Sequence, residues 1–556
     1  MTSGPPVPRT VPLSPRVRVP LGHTFRKVFG QAKDIIPIKF PHSCRMAHQT
    51  SVPSMYHSPT FKIFLLALLA CAWFFSPGSW NQTARYDSIQ ALAEHGTFCI
   101  DAYLLDPEHN NNTGDWARHQ GRYYSNKAPG TMFLGALAYA PVYWAERAFL
   151  AHAPGSRLNF FNFWWVNFWC STVPTAVLAM IFYLLLKKCG VSQNRSLFWS
   201  LALVFATPLW PYAGAMWGHN LAALFLALAF FFAVQNAPST HSPDNPDHPE
   251  NPDHPAHPAS SVFLGLFAGL AVVTDYLAIA AIPCFTLFFL LQKRWRAFLN
   301  FALGGLLPLI IYCFYHWKCF GNPFLPATFF NNPGFLDAAA AGGIVAGFKT
   351  NVVARLLIGM PHGLFWCAPL CLFALPGFLA LWRSGGEHRA LGLLATGWFL
   401  LSLILNASFN GWHGGSGIGP RYLLPAFPAW AFLAAAAPMR KHWQRWLAVA
   451  LTLVSVANMF VVANLTPLVS ELVFNPYAVN WKYFLQGTPA EFPLQPISPG
   501  TLFGRLRHWA NAVMLLIPTL LILRPLLRNA WQNAQFAQIR SNSLRRTGPF
   551  YSRWPC

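Results

Sequence analysis

The chain has 556 residues, of which 54% are hydrophobic and 10% charged. Soluble domains carry about a quarter charged residues, so this composition excludes an ordinary soluble enzyme and points to a membrane protein. The net charge of +22 would suggest a nucleic-acid partner in a soluble chain; in a membrane chain it sets orientation, and no nucleic acid is expected.

Residues 1–60 are Pro-rich and basic, with Arg9, Arg16, Arg18, Arg26, Lys27, Lys33, Lys39 and Arg45. They read as a disordered cytoplasmic tail, within which Met46 and Met55 are alternative starts. The apolar run at 62–77 lacks the small-residue cleavage site of a signal peptide, and a first span is read near 61–77. Further spans are predicted near 163–186, 196–213, 219–235, 261–274, 277–292, 297–316, 362–382, 390–405, 421–437, 444–463 and 508–524. Runs of roughly 15 to 24 apolar residues suit a bilayer core of about 30 Å, and runs this continuous are helices rather than barrel strands. The fold class expected is an all-α integral membrane protein with about twelve transmembrane helices, its membrane domain covering 61–525. Residues 236–260, with a repeated Asn-Pro-Asp-His-Pro, read as a Pro/His-rich cytoplasmic linker, and 526–556 as a second basic cytoplasmic tail.

Orientation follows from the basic residues. With the N-terminus inside and 131–150 not spanning, two-thirds of the 39 Lys and Arg face the cytoplasm. If 131–150 spans, that bias vanishes, so the segment is expected to lie along or dip into the outer face. The 11 cysteines are scattered without a CxxC pair; they read as apolar filler, and no metal-ligand cluster or required cofactor is indicated.

The first outer loop, 80–130, holds six of the 17 acids: Asp87, Glu94, Asp101, Asp106, Glu108 and Asp115. Ala84, Ile89, Leu92 and Ala93 mark one face of a short helix over 84–94, an amphipathic element suited to the membrane interface or to a lid. A carboxylate here can take the proton of an attacking hydroxyl or amine, and a nearby lysine or arginine can hold a departing phosphate. Each candidate also has a plainer reading: Asp115 follows Thr-Gly as a turn or cap residue would, Asp87 can pair with Arg85 or Arg122, Asp101 can be a structural anion, and Lys127 can snorkel to head groups. Further along, His219 ends the hairpin between two spans among Trp210, Tyr212 and Trp217, and Asp275 is an ionisable residue at membrane depth. The glycine-rich stretch 411–419 leads into Arg421, whose guanidinium can grip a phosphate with two parallel hydrogen bonds; it contains no nucleotide-binding loop.

The blocks "ARYDSIQALAEHGTFCID", "TGDWARHQGRYYSNKAPG" and, far downstream, "GWHGGSGIGPRYLLPAFP" resemble the bacterial GT-C glycosyltransferases of the family 39 group, the protein mannosyltransferase and lipid A aminoarabinose transferase-like enzymes. The resemblance runs over roughly 60–530, and "YYSNKAPG" is its most specific part. It implies a GT-C fold, a polyprenyl-phosphate sugar donor and an acidic catalytic residue in the first outer loop. It also implies that Lys127 contacts the donor phosphate. The sequence departs from the pattern where an acid precedes that lysine, here Asn126, and where an acidic pair follows the first span, here Asn81-Gln82. The catalytic candidates are therefore Asp87 and Asp115, then Asp101. The substrate-binding candidates are Lys127, Arg421, Arg122, Tyr124, His219 and Arg85. Relatives admit a divalent metal.

Together these readings predict a multi-pass glycosyltransferase of a cell inner membrane. It would move a sugar from a polyprenyl-phosphate donor to a lipid, glycan or protein acceptor on the periplasmic face, with inversion. Membrane lipids are its other partners. The alternatives are a transporter or flippase of lipid-linked precursors, and a catalytically inactive relative.

Overall fold

The computed structural model describes residues 58–105, 113–149, 156–236, 258–334, 345, 347–469, 473–487 and 496–544. The predicted tail 1–60 (but for its last three residues), almost all of the 236–260 linker, and Asp106 and Glu108 lie outside these. The protein is an all-α membrane protein whose one sheet among the described residues is a two-stranded hairpin. Among the described residues, five helices are long and apolar enough to cross a membrane: Asn159–Lys188, Trp295–Phe320, Gly386–Ala407, His442–Leu465 and Pro499–Leu526. Five shorter apolar helices join them: Pro59–Ala72, His219–Gln235, Pro258–Thr274, Tyr276–Leu291 and Pro369–Ser384. The expected spans at 196–213 and 421–437 are each divided. Helix Gln193–Phe205 stops before Pro208, and Arg421–Ala426 is a 3-10 turn carrying Pro425 ahead of the ten-residue helix Phe427–Ala436. The last helix continues from Arg507 to Leu544, past the expected end of the span at 524.

In chain order the elements that position the site are α1 (Pro59–Ala72), α2 (Trp80–His95), α3 (Asp101–Leu104), β1 (Trp116–His119), β2 (Arg122–Ser125) and α4 (Gly130–Phe149). Helices α5 (Ser156–Asn167) and α6 (Val173–Lys188) are joined through a π-helical turn. Then come α7 (Gln193–Phe205), α8 (Leu209–Ala213), α9 (His219–Gln235), α10 (Pro258–Thr274), α11 (Ala281–Leu291) and α12 (Trp295–Phe320). Helix α10 packs on both α9 and α12, and α4 packs on α2 and α10. The α10–α12 crossing is close because Gly265 and Gly304 face each other's backbones: a Cβ on Gly265 would overlap the Phe301 carbonyl, and one on Gly304 the Val262 carbonyl. Small residues at such a crossing replace the hydrophobic effect, which is weak between helices in lipid.

One feature of the first outer loop differs from expectation. Helix α2 does not present a polar face to an interface: Gln82, Arg85, Asp87, Ser88 and Gln90 are buried along with Ala84, Tyr86, Ile89 and Ala91. It is a helix enclosed by protein, started by a capping box between Ser79 and Gln82 and ended by Gly96 at φ 63°. Segment 131–150 is almost wholly taken up by α4, continuous through Pro141.

Candidate functional site

The hairpin creates the first half of the site. Gln120 and Gly121, both at positive φ (49° and 81°), form a two-residue turn whose twist suits antiparallel strands. The register pairs Trp116 with Ser125 and His119 with Arg122. The residues just outside the strands therefore meet: Asn126 N–H donates to the Asp115 carbonyl at 3.3 Å, and Lys127 Nζ lies 3.0 Å from Asp115 Oδ2. The two side chains are only 19% and 15% exposed. Burial pulls the Lys127 ammonium below the usual lysine range, Asp115 opposes that shift, and Arg85 and Arg421 add to it.

Arg85 reaches the same region from α2. Its Nε donates to Asn81 Oδ1 at 3.1 Å, and Nη1 donates to Thr131 Oγ1 at 3.1 Å and the Ala128 carbonyl at 3.4 Å. Burial lowers its pKa, and the fields of Asp275 and Asp115 oppose this. Asn81 and Gln82, the pair that follows the first span, each have work of their own here: Asn81 orients Arg85, and Gln82 closes the helix cap and donates to the Ser76 carbonyl at 2.6 Å.

The other half comes from the transmembrane body. His219, the first residue of α9, places Nδ1 2.5 Å from Asp275 Oδ2, at the end of α10. Asp275 Oδ1 accepts from Leu277 N at 3.1 Å, which fixes the carboxylate on the turn that follows. Arg421 is buried, with its guanidinium carbon 4.2 Å from the centre of the Trp217 ring and 5.3 Å from that of Tyr422. The loop before it is held by Tyr212, whose hydroxyl donates to the Ile418 carbonyl and accepts from Ile418 N, both at 2.9 Å. Gly218 lets these halves meet: a Cβ there would sit 2.8 Å from the Thr274 carbonyl and 3.2 Å from both Arg85 Nη2 and Thr131 Oγ1.

Of the predicted residues, the structure therefore brings Lys127, Asp115, Arg85, Arg421 and His219 into one buried group, together with Asp275. The others lie elsewhere. Asp87 is buried two residues from Arg85, on nearly the opposite side of α2, where its charge acts on Tyr86 and Tyr103. Asp101 ties α3 to the hairpin by accepting from Tyr123 N at 2.7 Å. Arg122 is exposed beside the hairpin turn, and Tyr124 is buried against Phe320 with ring centres 5.4 Å apart. Among the described residues no group of three His, Cys, Asp or Glu stands together as metal ligands.

The group carries three basic side chains, Arg85, Lys127 and Arg421, against two carboxylates, Asp115 and Asp275. With His219 neutral, a single positive charge is left over in a poorly hydrated place, which favours binding of one anion. An apolar cavity of about 500 Å³ adjoins it, lined by Gly130, Leu137, Leu221, Val273, Thr274 and Ile310 among others. Three of these residues are chain neighbours of the polar group: Gly130 follows Lys127 by three positions, Leu221 follows His219 by two, and Thr274 precedes Asp275. A larger apolar cavity of about 880 Å³, between α1, α7 and the helices His442–Leu465 and Arg507–Leu544, shares none of these residues.

No family model and no curated protein matches the sequence. Solved structures with a similar fold include ArnT from Cupriavidus metallidurans bound to undecaprenyl phosphate, at 16% identity and a TM-score of 0.47, covering 85% of this chain and 72% of that one. The Archaeoglobus fulgidus oligosaccharyltransferase in the apo form is similar at 14% identity and a TM-score of 0.45, covering 74% of this chain and 56% of that one.

Proposed function

We propose that the protein is an integral membrane glycosyltransferase that moves a sugar from a polyprenyl-phosphate donor to an acceptor on the periplasmic side of a cell inner membrane, with inversion at the sugar. The observation that carries this is the junction of the buried cation-rich group with the 500 Å³ apolar cavity. A lipid phosphodiester has one negative charge and an apolar chain, and it matches that junction in both respects. Arg85, Lys127 and Arg421 hold the phosphate, and the cavity between α4, α9, α10 and α12 takes the start of the isoprenoid chain. When the sugar–phosphate bond breaks, negative charge grows on the phosphate oxygen, and cations already fixed by Asn81, Asp115 and the Trp217 ring stabilise it without reorganisation. The sequence blocks around Lys127 and Arg421, which resemble the family 39 enzymes, support the same assignment.

The test is transfer of labelled sugar from a polyprenyl-phosphate donor into envelope acceptors by purified protein in lipid nanodiscs. The proposal expects transfer that Lys127→Ala and Arg421→Ala each abolish. Movement of the lipid donor across vesicles with no sugar transfer would replace this reading by a flippase.

A further inference from the structure

Resting on that reading, we infer that His219, oriented by Asp275, is the proton acceptor for the incoming acceptor group. An ionised carboxylate can only accept, so the 2.5 Å contact places a proton on His219 Nδ1, and in the neutral ring Nε2 then carries the lone pair. Nε2 is buried and has no hydrogen-bond partner among the described residues, although the side chain is only 6% exposed. An orphaned buried acceptor destabilises a fold, and such atoms call for a partner that the protein itself does not supply. The ring is held edge-on between Trp217 and Tyr422, with centroid separations of 6.3 and 5.6 Å, so its direction is set on three sides. It stands beside the phosphate-holding cations: a Cβ on Gly218, next to it, would lie 3.2 Å from Arg85 Nη2, and Arg421 stacks on the same two rings.

The other acids are less suited. Asp115 is engaged by Lys127 in a 3.0 Å ion pair, and Asp87 lies across α2 from Arg85. In the step, the acceptor O–H or N–H proton passes to His219 Nε2 as the acceptor atom bonds to the anomeric carbon. The bond from that carbon to the phosphate oxygen breaks, with its electron pair going to the phosphate. Asp275 stabilises the imidazolium, which gives the proton up to water as the products leave. Asp275 is a positioning residue, because it acts through the ring.

The experiment pairs donor binding with transfer. Undecaprenyl phosphate retention is read by native mass spectrometry, and labelled-sugar transfer from a polyprenyl-phosphate donor gives kcat and the donor KM. His219→Gln is expected to keep phosphate retention and donor KM within about threefold while kcat falls about 10²- to 10⁴-fold. Asp275→Asn is expected to lower kcat by at least tenfold at unchanged donor KM, since the amide reverses the hydrogen bond to Nδ1. Transfer by His219→Gln at the wild-type rate overturns the dyad and leaves the function standing. Wild-type protein that neither retains the phosphate nor transfers sugar overturns the function itself. A loss confined to KM makes His219 a binding residue, and failure of both variants to fold makes the pair structural; either result overturns the inference.

Discussion

Replacing Asp115 by asparagine separates two roles for that carboxylate. The structure gives it the task of keeping Lys127 charged: the 3.0 Å ion pair is buried, and burial already lowers the lysine. At that distance the gross attraction is about 5 kcal/mol for an effective dielectric constant of about 20. Desolvation offsets much of this, and removing one buried partner costs about 1–3 kcal/mol net, or roughly 10- to 100-fold in an equilibrium. The sign follows from protonation. In the proposed function Lys127 holds the phosphate as an ammonium, and Asp115 raises its pKa. Without Asp115 the ammonium loses its proton at lower pH, so donor binding should fail earlier on the alkaline side. The expected result for Asp115→Asn is donor affinity and transfer within about tenfold of wild type at mildly acidic pH, and a fall of roughly 10- to 100-fold on the alkaline side. The assay is polyprenyl-phosphate binding and labelled-sugar transfer in nanodiscs across a pH series. A loss of more than about 100-fold at every pH, with the alkaline limb unmoved, would show Asp115 acting on the reacting atoms and would refute the reasoning.

Arg421→Lys should weaken donor binding about tenfold, because an ammonium neither stacks on Trp217 at 4.2 Å nor forks onto two phosphate oxygens; competition binding with undecaprenyl phosphate measures it. Leu137 is 75% exposed and lines the 500 Å³ cavity, so Leu137→Trp should leave the melting temperature unchanged while lowering affinity for long-chain polyprenyl phosphates several-fold more than for a short-chain analogue. Equal losses for both chain lengths would separate that cavity from the donor. Asp101→Ala removes the 2.7 Å bond to Tyr123 N and should destabilise the loop by about 1–2 kcal/mol, read as a lower melting temperature with residual transfer retained.

Several elements were legible in the sequence because each depends on local pattern. Long apolar runs marked the transmembrane helices, and Lys127 and Arg421 stood out as cations at polar–apolar boundaries. The hairpin was missed, although Gln120-Gly121 between two short aromatic and polar runs carries the signal of a two-residue turn. Helix α2 was misread for a different reason. Its polar residues implied a wet face, but protein rather than water surrounds them, with Asn81 and Thr131 satisfying Arg85 and Ser76 satisfying Gln82. His219 and Asp275 were each visible as unusual residues. Their pairing was not, because 56 residues and the packing of α9 on α10 lie between them.

Under the proposed mechanism the charge count ties the dyad to the cations. Before reaction the group's single excess positive charge balances the single negative charge of a lipid phosphodiester. Bond cleavage turns the phosphodiester into a monoester dianion, adding one negative charge inside a site where an unbalanced charge is costly. The proton taken up by His219 adds one positive charge at the same moment, so the site stays neutral through the step. The lipid phosphate then leaves with its added negative charge while the imidazolium gives its proton to water, so both changes reverse and the site returns to its resting charge. A fixed carboxylate serving as base would become neutral on taking the proton and reach the same total. A carboxylate already engaged by Lys127, however, would lose its ion pair at the moment that lysine is needed for the phosphate. His219 accepts the proton while keeping its bond to Asp275, and the phosphate-holding cations remain undisturbed.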